Sequence, residues 1–162
     1  MMRGKPAPVA PPSPPPGDAE DATAGAPAII RGAARMLGQH GFATLAEFRV
    51  GRGRRVDLVG LDRWGDFVIV EVKSSLADFR ADRKWQDYLP WCDRFFFAVG
   101  ADFPVDRLPA EQGVMVADGW GAAVLREAPV MPVNPVRRRS QILRFALVAG
   151  RRLHDVADPC PG

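Results

Sequence analysis

Cysteine is scarce in this chain: Cys92 and Cys160 are the only two among 162 residues. Neither has a partner at the spacing of a metal site, so zinc is not expected and both read as ordinary thiols. Long apolar runs are also missing. None reaches the roughly 18 residues that cross a bilayer. The N-terminus lacks the apolar middle of a signal peptide, being mostly proline and alanine. No membrane partner is therefore expected, and a cytoplasmic, nucleoid-associated protein is. There is no Gly-rich phosphate loop, no nucleophile elbow and no Cys/His dyad. Lysine is rare too, with Lys5, Lys73 and Lys84 set against nineteen arginines. A GC-rich genome would account for that bias. A lysine kept in such a background can still mark a place where a compact point charge does what a planar fork cannot.

What is present describes a folded chain of ordinary balance, 47% hydrophobic and 25% charged. The length suits one domain. Seven of the sixteen prolines lie between Pro6 and Pro16. Residues 1–24 are thus expected to be a disordered tail with too little apolar surface to offset ordering. The domain is expected over residues 25–154, and residues 155–162 as a frayed tail. The net charge of +3 is mild, but between Ala128 and His154 there are six arginines and no acid.

Apolar periodicity predicts a first helix from Pro27 to Gln39, stopped at Gly41. Three strands follow, about 43–50, 55–61 and 66–73, joined by turns at Gly51–Gly53 and Asp62–Gly65. In the third, Phe67-Val68-Ile69-Val70 is apolar on both faces, as in a central strand covered by helices. Ser74 or Ser75 can cap a helix running, with or without a break, to about Leu89, where Pro90 ends it. Strands at 94–99, 113–117 and 122–127 and a last helix from Asn134-Pro135 to about Leu153 complete the pattern. Ile142, Phe145, Ala146 and Ala149 share one face of that helix. The fold class is α/β, with a mixed central sheet flanked by helices.

Chemistry concentrates in Asp57 and in Glu71-Val72-Lys73. Glu71 and Lys73 are two apart on a strand and share a face. A turn centred on Trp64 sets Asp57 opposite Glu71, and a turn centred on Arg52 sets Glu47 opposite Asp57. Opposed side chains have Cβ atoms about 4.5–5.5 Å apart, close enough for carboxylates to share a cation. Without one, such like charges would destabilise the sheet and raise a carboxylate pKa. Mg²⁺, with Mn²⁺ as its substitute, suits these oxygens. It would polarise a phosphate and acidify a water, with Lys73 stabilising developing negative charge. The competing reading is a solvated face of ordinary charges.

The run Arg54-Arg55-Val56-Asp57-Leu58-Val59 through Val70-Glu71-Val72-Lys73-Ser74-Ser75, followed by Asp78-Phe79-Arg80, Asp82 and Lys84-Trp85 to Tyr88, resembles the bacterial MmcB family of DNA repair proteins. Its core resembles the D…(D/E)XK signature of the PD-(D/E)XK nuclease superfamily. The resemblance covers about residues 27–153. It implies a restriction-endonuclease-like core, DNA and other repair proteins as partners, Asp57 and Glu71 as metal ligands, and Lys73 as the catalytic lysine. One departure matters. The first helix carries Arg31 and Arg35 but no acid, so Glu47 would have to substitute or the site would hold one metal or be weak. Val56 replaces the signature proline, which is common and changes little.

Around this core, Ser74, Lys84 and Gln86 are candidates to support the site. Trp85 and Tyr88 either stack on an unpaired base or pack in the core. Arg52, Arg54 and Arg55 at the hairpin, and Arg137, Arg138, Arg139, Arg144, Arg151 and Arg152 on the last helix, are candidates for phosphate contacts. Three functions fit: a metal-dependent DNA endonuclease of repair, a catalytically weak or inactive DNA-binding repair accessory, or an enzyme processing tRNA or recombination junctions.

Overall fold

The computed structural model describes residues 25–159. The tail expected over residues 1–24 and Cys160 lie outside them. Along the chain the elements are α1 (Ala26–Gln39), β1 (Ala43–Val50), β2 (Arg54–Leu61), β3 (Phe67–Lys73), α2 (Leu76–Ala81), a 3₁₀ segment (Trp85–Trp91), β4 (Arg94–Val99), β5 (Gly113–Ala117), β6 (Ala122–Arg126) and α3 (Pro135–Ala157). The six strands form one sheet in the order β1-β2-β3-β4-β5-β6. β3, β4 and β5 run parallel and the other pairs antiparallel, so the sheet is mixed.

The two-sided apolarity of β3 has its expected consequence, because all seven of its residues are buried. On one face, Ile29, Ala33, Met36 and Leu37 of α1 pack with Val68, Val70, Phe96, Ala98 and Met115. The fit is close at Gly32, where a methyl group would collide with the carbonyls of Asp118 and Gly121. On the other face, Phe67, Ile69, Phe95, Phe97 and Val99 pack with Trp85, Tyr88 and Phe145. Glu71 and Lys73 continue the alternation of Phe67 and Ile69 and so face this second layer. Cys92 is buried in that layer, where its thiol is pushed up by burial.

The β1–β2 hairpin departs from simple alternation. Leu45, Phe48 and Val50 all join the second core, although strict alternation would send Leu45 to the face opposite the other two. Glu47 lies between them with φ +51°, in the left-handed region, and is skipped in the pairing with β2. That residue resets the alternation and turns the hairpin tip over the sheet. The tip comes so close to the second layer that a side chain at Gly51, itself at φ +53°, would strike the Trp91 ring.

Other boundaries differ from the periodic reading. The helix after β3 is only six residues long. The chain then leaves helical geometry at Asp82, whose carboxylate accepts from the Lys84 amide at 2.7 Å. It resumes as the 3₁₀ segment, which contains Pro90 rather than stopping at it. At the other end, α3 continues to Ala157, past the expected stop at Leu153. Its buried residues are Gln141 and Phe145, while Ile142 is 36% exposed. The helix lies against β1 and the hairpin tip along a line narrower than the face its sequence could cover. Among the described residues, no helix is long and apolar enough to cross a membrane.

Candidate metal and nuclease site

The site forms where β2 and β3 part. The pairing of Leu58 with Val70 and Val59 with Ile69 would next bring Asp57 opposite Glu71. At that point side chains replace the backbone ladder. The Asp57 amide donates to Glu71 Oε1 at 3.1 Å, and the Val72 amide donates to Asp57 Oδ2 at 2.8 Å. Two backbone donors freed by the divergence thus find carboxylate acceptors. The same exchange fixes both carboxylates side by side.

Burial and like charge make this pair costly. Glu71 is 5% exposed. Burial first, and then the charge of Asp57, push its carboxyl up to about 8. Asp57 is also raised, chiefly by burial. Lys73 is 4% exposed and lies on the same face as Glu71. Its ammonium donates to Asp82 Oδ2 at 2.7 Å. Burial raises Asp82, but bonds from Lys73 and from the Lys84 and Trp85 amides outweigh it and hold Asp82 below the ordinary aspartate value. The ammonium thus pairs with Asp82, and it acts on Asp57 and Glu71 through charge alone. Tyr88 closes the site from the 3₁₀ segment, donating from its hydroxyl to the Arg55 carbonyl at 3.2 Å. Its phenol is pushed up to about 12, first by burial and then by Glu71, Asp82 and Asp57.

The donor set fits a hard divalent cation. No backbone or other side-chain donor among the described residues reaches the remaining oxygens, Asp57 Oδ1 and Glu71 Oε2, although the two carboxyls lie close enough to share a hydrogen bond with each other. Neither is sealed from solvent, since Gln141 Oε1 is the one fully buried side-chain atom there that lacks a partner. Two carboxylates with access to water match the usual protein share of a Mg²⁺ shell.

Glu47 does not join them. The count that places it opposite Asp57 is correct, since Ala46 pairs with Leu58 and Phe48 with Val56. The positive φ takes its side chain elsewhere, and it lies 64% exposed, 3.6 Å from Arg55. Among the described residues, no group of three His, Cys, Asp or Glu side chains is placed to hold a metal. The row of three acids expected from register is therefore a pair.

The structure also redistributes the supporting candidates. Trp85 and Tyr88 are buried, and Trp85 packs edge-on against Phe97 at 5.3 Å, so neither offers a face for base stacking. Lys84 and Gln86 are exposed. Ser75, not Ser74, caps α2 by accepting from the Asp78 amide, while Ser74 donates to the Asp78 carboxylate. Arg54 pairs with Asp87 at 2.7 Å and Arg55 with Glu47. Arg52 is exposed. Arg137 donates to the Pro90 carbonyl and lies over the Trp91 ring at 4.6 Å. Arg138 is a brace rather than a free cation, held by the carboxylate of Asp93 and the carbonyl of Gly65. Arg139 is exposed and has no hydrogen-bond or ion-pair partner among the described residues.

Two residues escaped the site reading of the sequence. Asp82 orients Lys73 from a helix break that periodicity cannot locate. Asp93 meets Arg138 across 45 positions of chain, which leaves no local trace.

A family model described as DNA repair protein MmcB-like matches residues 14–160. A solved structure of a protein of unknown function from Silicibacter pomeroyi is similar at 48% identity and a TM-score of 0.79, covering 83% of this chain and 92% of that one. A repair endonuclease from Pyrococcus abyssi matches at 23% identity and a TM-score of 0.32, over 51% of this chain and 39% of that one, too distant to bear on the site. Among curated proteins none matches.

Proposed function

From the premise that the chain belongs to the MmcB-like family of DNA repair proteins, we propose that it acts on DNA through a metal-dependent, phosphodiester-hydrolysing site formed by Asp57, Glu71 and Lys73. The observation that carries this reading is the buried carboxylate pair, each member with one oxygen left over, next to a lysine on the same face. Capping the two freed backbone amides needs only one oxygen from each side chain and not two charges at a net cost of burial.

Asp57 and Glu71 would hold Mg²⁺ or Mn²⁺. When bound, such an ion polarises a phosphate oxygen and lowers the pKa of a coordinated water. The chain's own part is positional and electrostatic. The amides of Asp57 and Val72 fix the two carboxylates. Asp82 holds the Lys73 ammonium at 2.7 Å and uses one of its three donors, leaving the others for a phosphate oxygen that gains charge. Tyr88 and the apolar layer behind it limit water on that side. Other repair proteins are further partners of this reading.

A catalytically weak or inactive DNA-binding accessory is the second reading. It is favoured by one observation, that Glu47 leaves only two acids at the site. Incubating the full chain with single-stranded, nicked, flapped and branched DNA in Mg²⁺ or Mn²⁺ separates the two. Cutting that disappears in Asp57→Ala and Lys73→Ala supports the nuclease. Tight binding with no cutting under any of these conditions would overturn it.

Glu71 also makes a testable link to pH. Its folded pKa lies near 8 against an ordinary 4.5. The folded chain therefore holds a proton that the unfolded chain has lost between those values. Stability from this group is fully present below about pH 4.5 and declines as pH rises through about 8. In EDTA the melting temperature should fall between pH 5 and 8.5. Glu71→Gln should flatten that slope, and Mn²⁺ should raise the melting temperature most at the alkaline end. An identical slope in Glu71→Gln would show that another group sets it.

A further inference from the structure

Between the β1–β2 hairpin tip and α3 lies a cleft of about 430 Å³. Its walls carry Arg49, Arg144 and Arg152 with Glu47, over apolar contacts from Phe48 and Val148. We infer that this cleft binds a phosphodiester group of the DNA strand whose neighbouring segment lies at Asp57 and Glu71. The inference rests on the reading that DNA is the partner, and it names the part of the surface that holds it.

Charge is the first reason. Three guanidinium groups face one carboxylate, and that carboxylate is already shared with Arg55. Preorganisation is the second. Arg144 Nη1 donates to the carbonyls of Arg49 and Gly51, both at 3.2 Å. Arg152 donates to those of Ala46 and Glu47 at 2.6 and 3.3 Å. Arg49 Nη1 donates to Gly53 at 2.9 Å. A guanidinium carries five N–H donors. These bonds therefore orient each fork while the Nε and Nη2 groups of Arg49 and Arg144 stay without a partner among the described residues. Forks fixed in advance bind a phosphate with less side-chain entropy to lose.

Place is the third reason. Glu47 on the cleft wall lies between Ala46 and Phe48, whose partners Leu58 and Val56 flank Asp57, so the cleft borders the strand next to β2, about 4.7–4.9 Å away in the sheet. A strand held in the cleft would thus continue onto the carboxylate pair, and its position would be set without reading bases. The same positive φ that removes Glu47 from the acid pair puts it here, where it tempers the charge of the cleft.

The test is fluorescence anisotropy of the full chain on labelled single-stranded and nicked duplex DNA, in EDTA, across a salt series. Each neutralised phosphate contributes about 0.7–0.9 to the slope of log affinity against log salt. The double variant Arg144→Gln/Arg152→Gln should lose about that much slope, or roughly sixfold in affinity at 0.1 M salt, alike for all sequences. Because both arginines also brace β1, a second variant avoids them. Glu47→Gln should tighten binding and steepen the salt dependence, while Arg31→Gln, on α1 across the sheet, should leave both unchanged. Wild-type affinity and slope in the double variant, or weaker binding in Glu47→Gln, would overturn the cleft and leave the proposed nuclease reading standing. A chain that binds no form of DNA would overturn both.

Discussion

Replacing Lys73 with methionine is expected to lower metal-dependent DNA cleavage by about 10²–10³-fold, the range for losing one fixed donor at a centre of developing charge. Lys73 is 4% exposed and sits on the face of β3 that also presents Glu71. Methionine keeps most of the side-chain volume and removes the charge. It also leaves Asp82 without its partner beside two raised carboxyls, which destabilises the fold as well as removing the charge. The double variant Lys73→Met/Asp82→Asn separates the effects. It removes both members of the ion pair, so the melting temperature should recover while cleavage should not. Single-turnover rates and thermal melts on the three proteins read this directly. Cleavage restored in the double variant would mean that Lys73 only balances charge.

The largest stability effect is expected at Asp93, away from the site. Asp93 is 3% exposed. It accepts from the Phe67 amide at 2.7 Å and the Val133 amide at 3.1 Å, and from Arg138 at 2.9 Å. One carboxylate thereby ties the start of β3, the approach to α3 and the first turn of α3. Asp93→Ala should cost about 3–5 kcal/mol, the penalty for breaking a buried pair and stranding its partner. Asp93→Asn should cost less, since its amide oxygen can still accept from one backbone donor. Bonds from Arg138 and the two amides outweigh burial and hold the Asp93 carboxyl low. Its contribution is thus present above the ordinary aspartate pKa and lost as pH falls through the lowered value, the reverse of Glu71. Chemical denaturation of the three proteins at neutral pH measures the difference. A loss below 1 kcal/mol in Asp93→Ala would show that Arg138 and the two amides find other partners.

Asp57, Glu71 and Lys73 could be singled out in the sequence because each signal was local. Charges that follow four apolar residues on a central strand stand out, and the turn at Trp64 was enough to count Asp57 into line with Glu71. The same count failed at Glu47. Register tells which residues are opposite, but a single positive φ decides where the side chain goes. The arginines show the same division. The clustering on the last helix was visible, yet Arg138 proved to be a brace for Asp93, while Arg144 and Arg152 converge on a cleft with Arg49, which the sequence did not single out.

The sequence by itself determined the order of helices and strands, the central place of β3 and the acids that could meet. These follow from apolar period and turn chemistry, which act over a few residues. Only the tertiary structure decided that the acids are two rather than three, that Asp82 holds Lys73 and that Asp93 joins three elements. The physical reason is that these depend on one backbone dihedral and on contacts between residues up to 45 positions apart, whose free energy appears only when the layers pack.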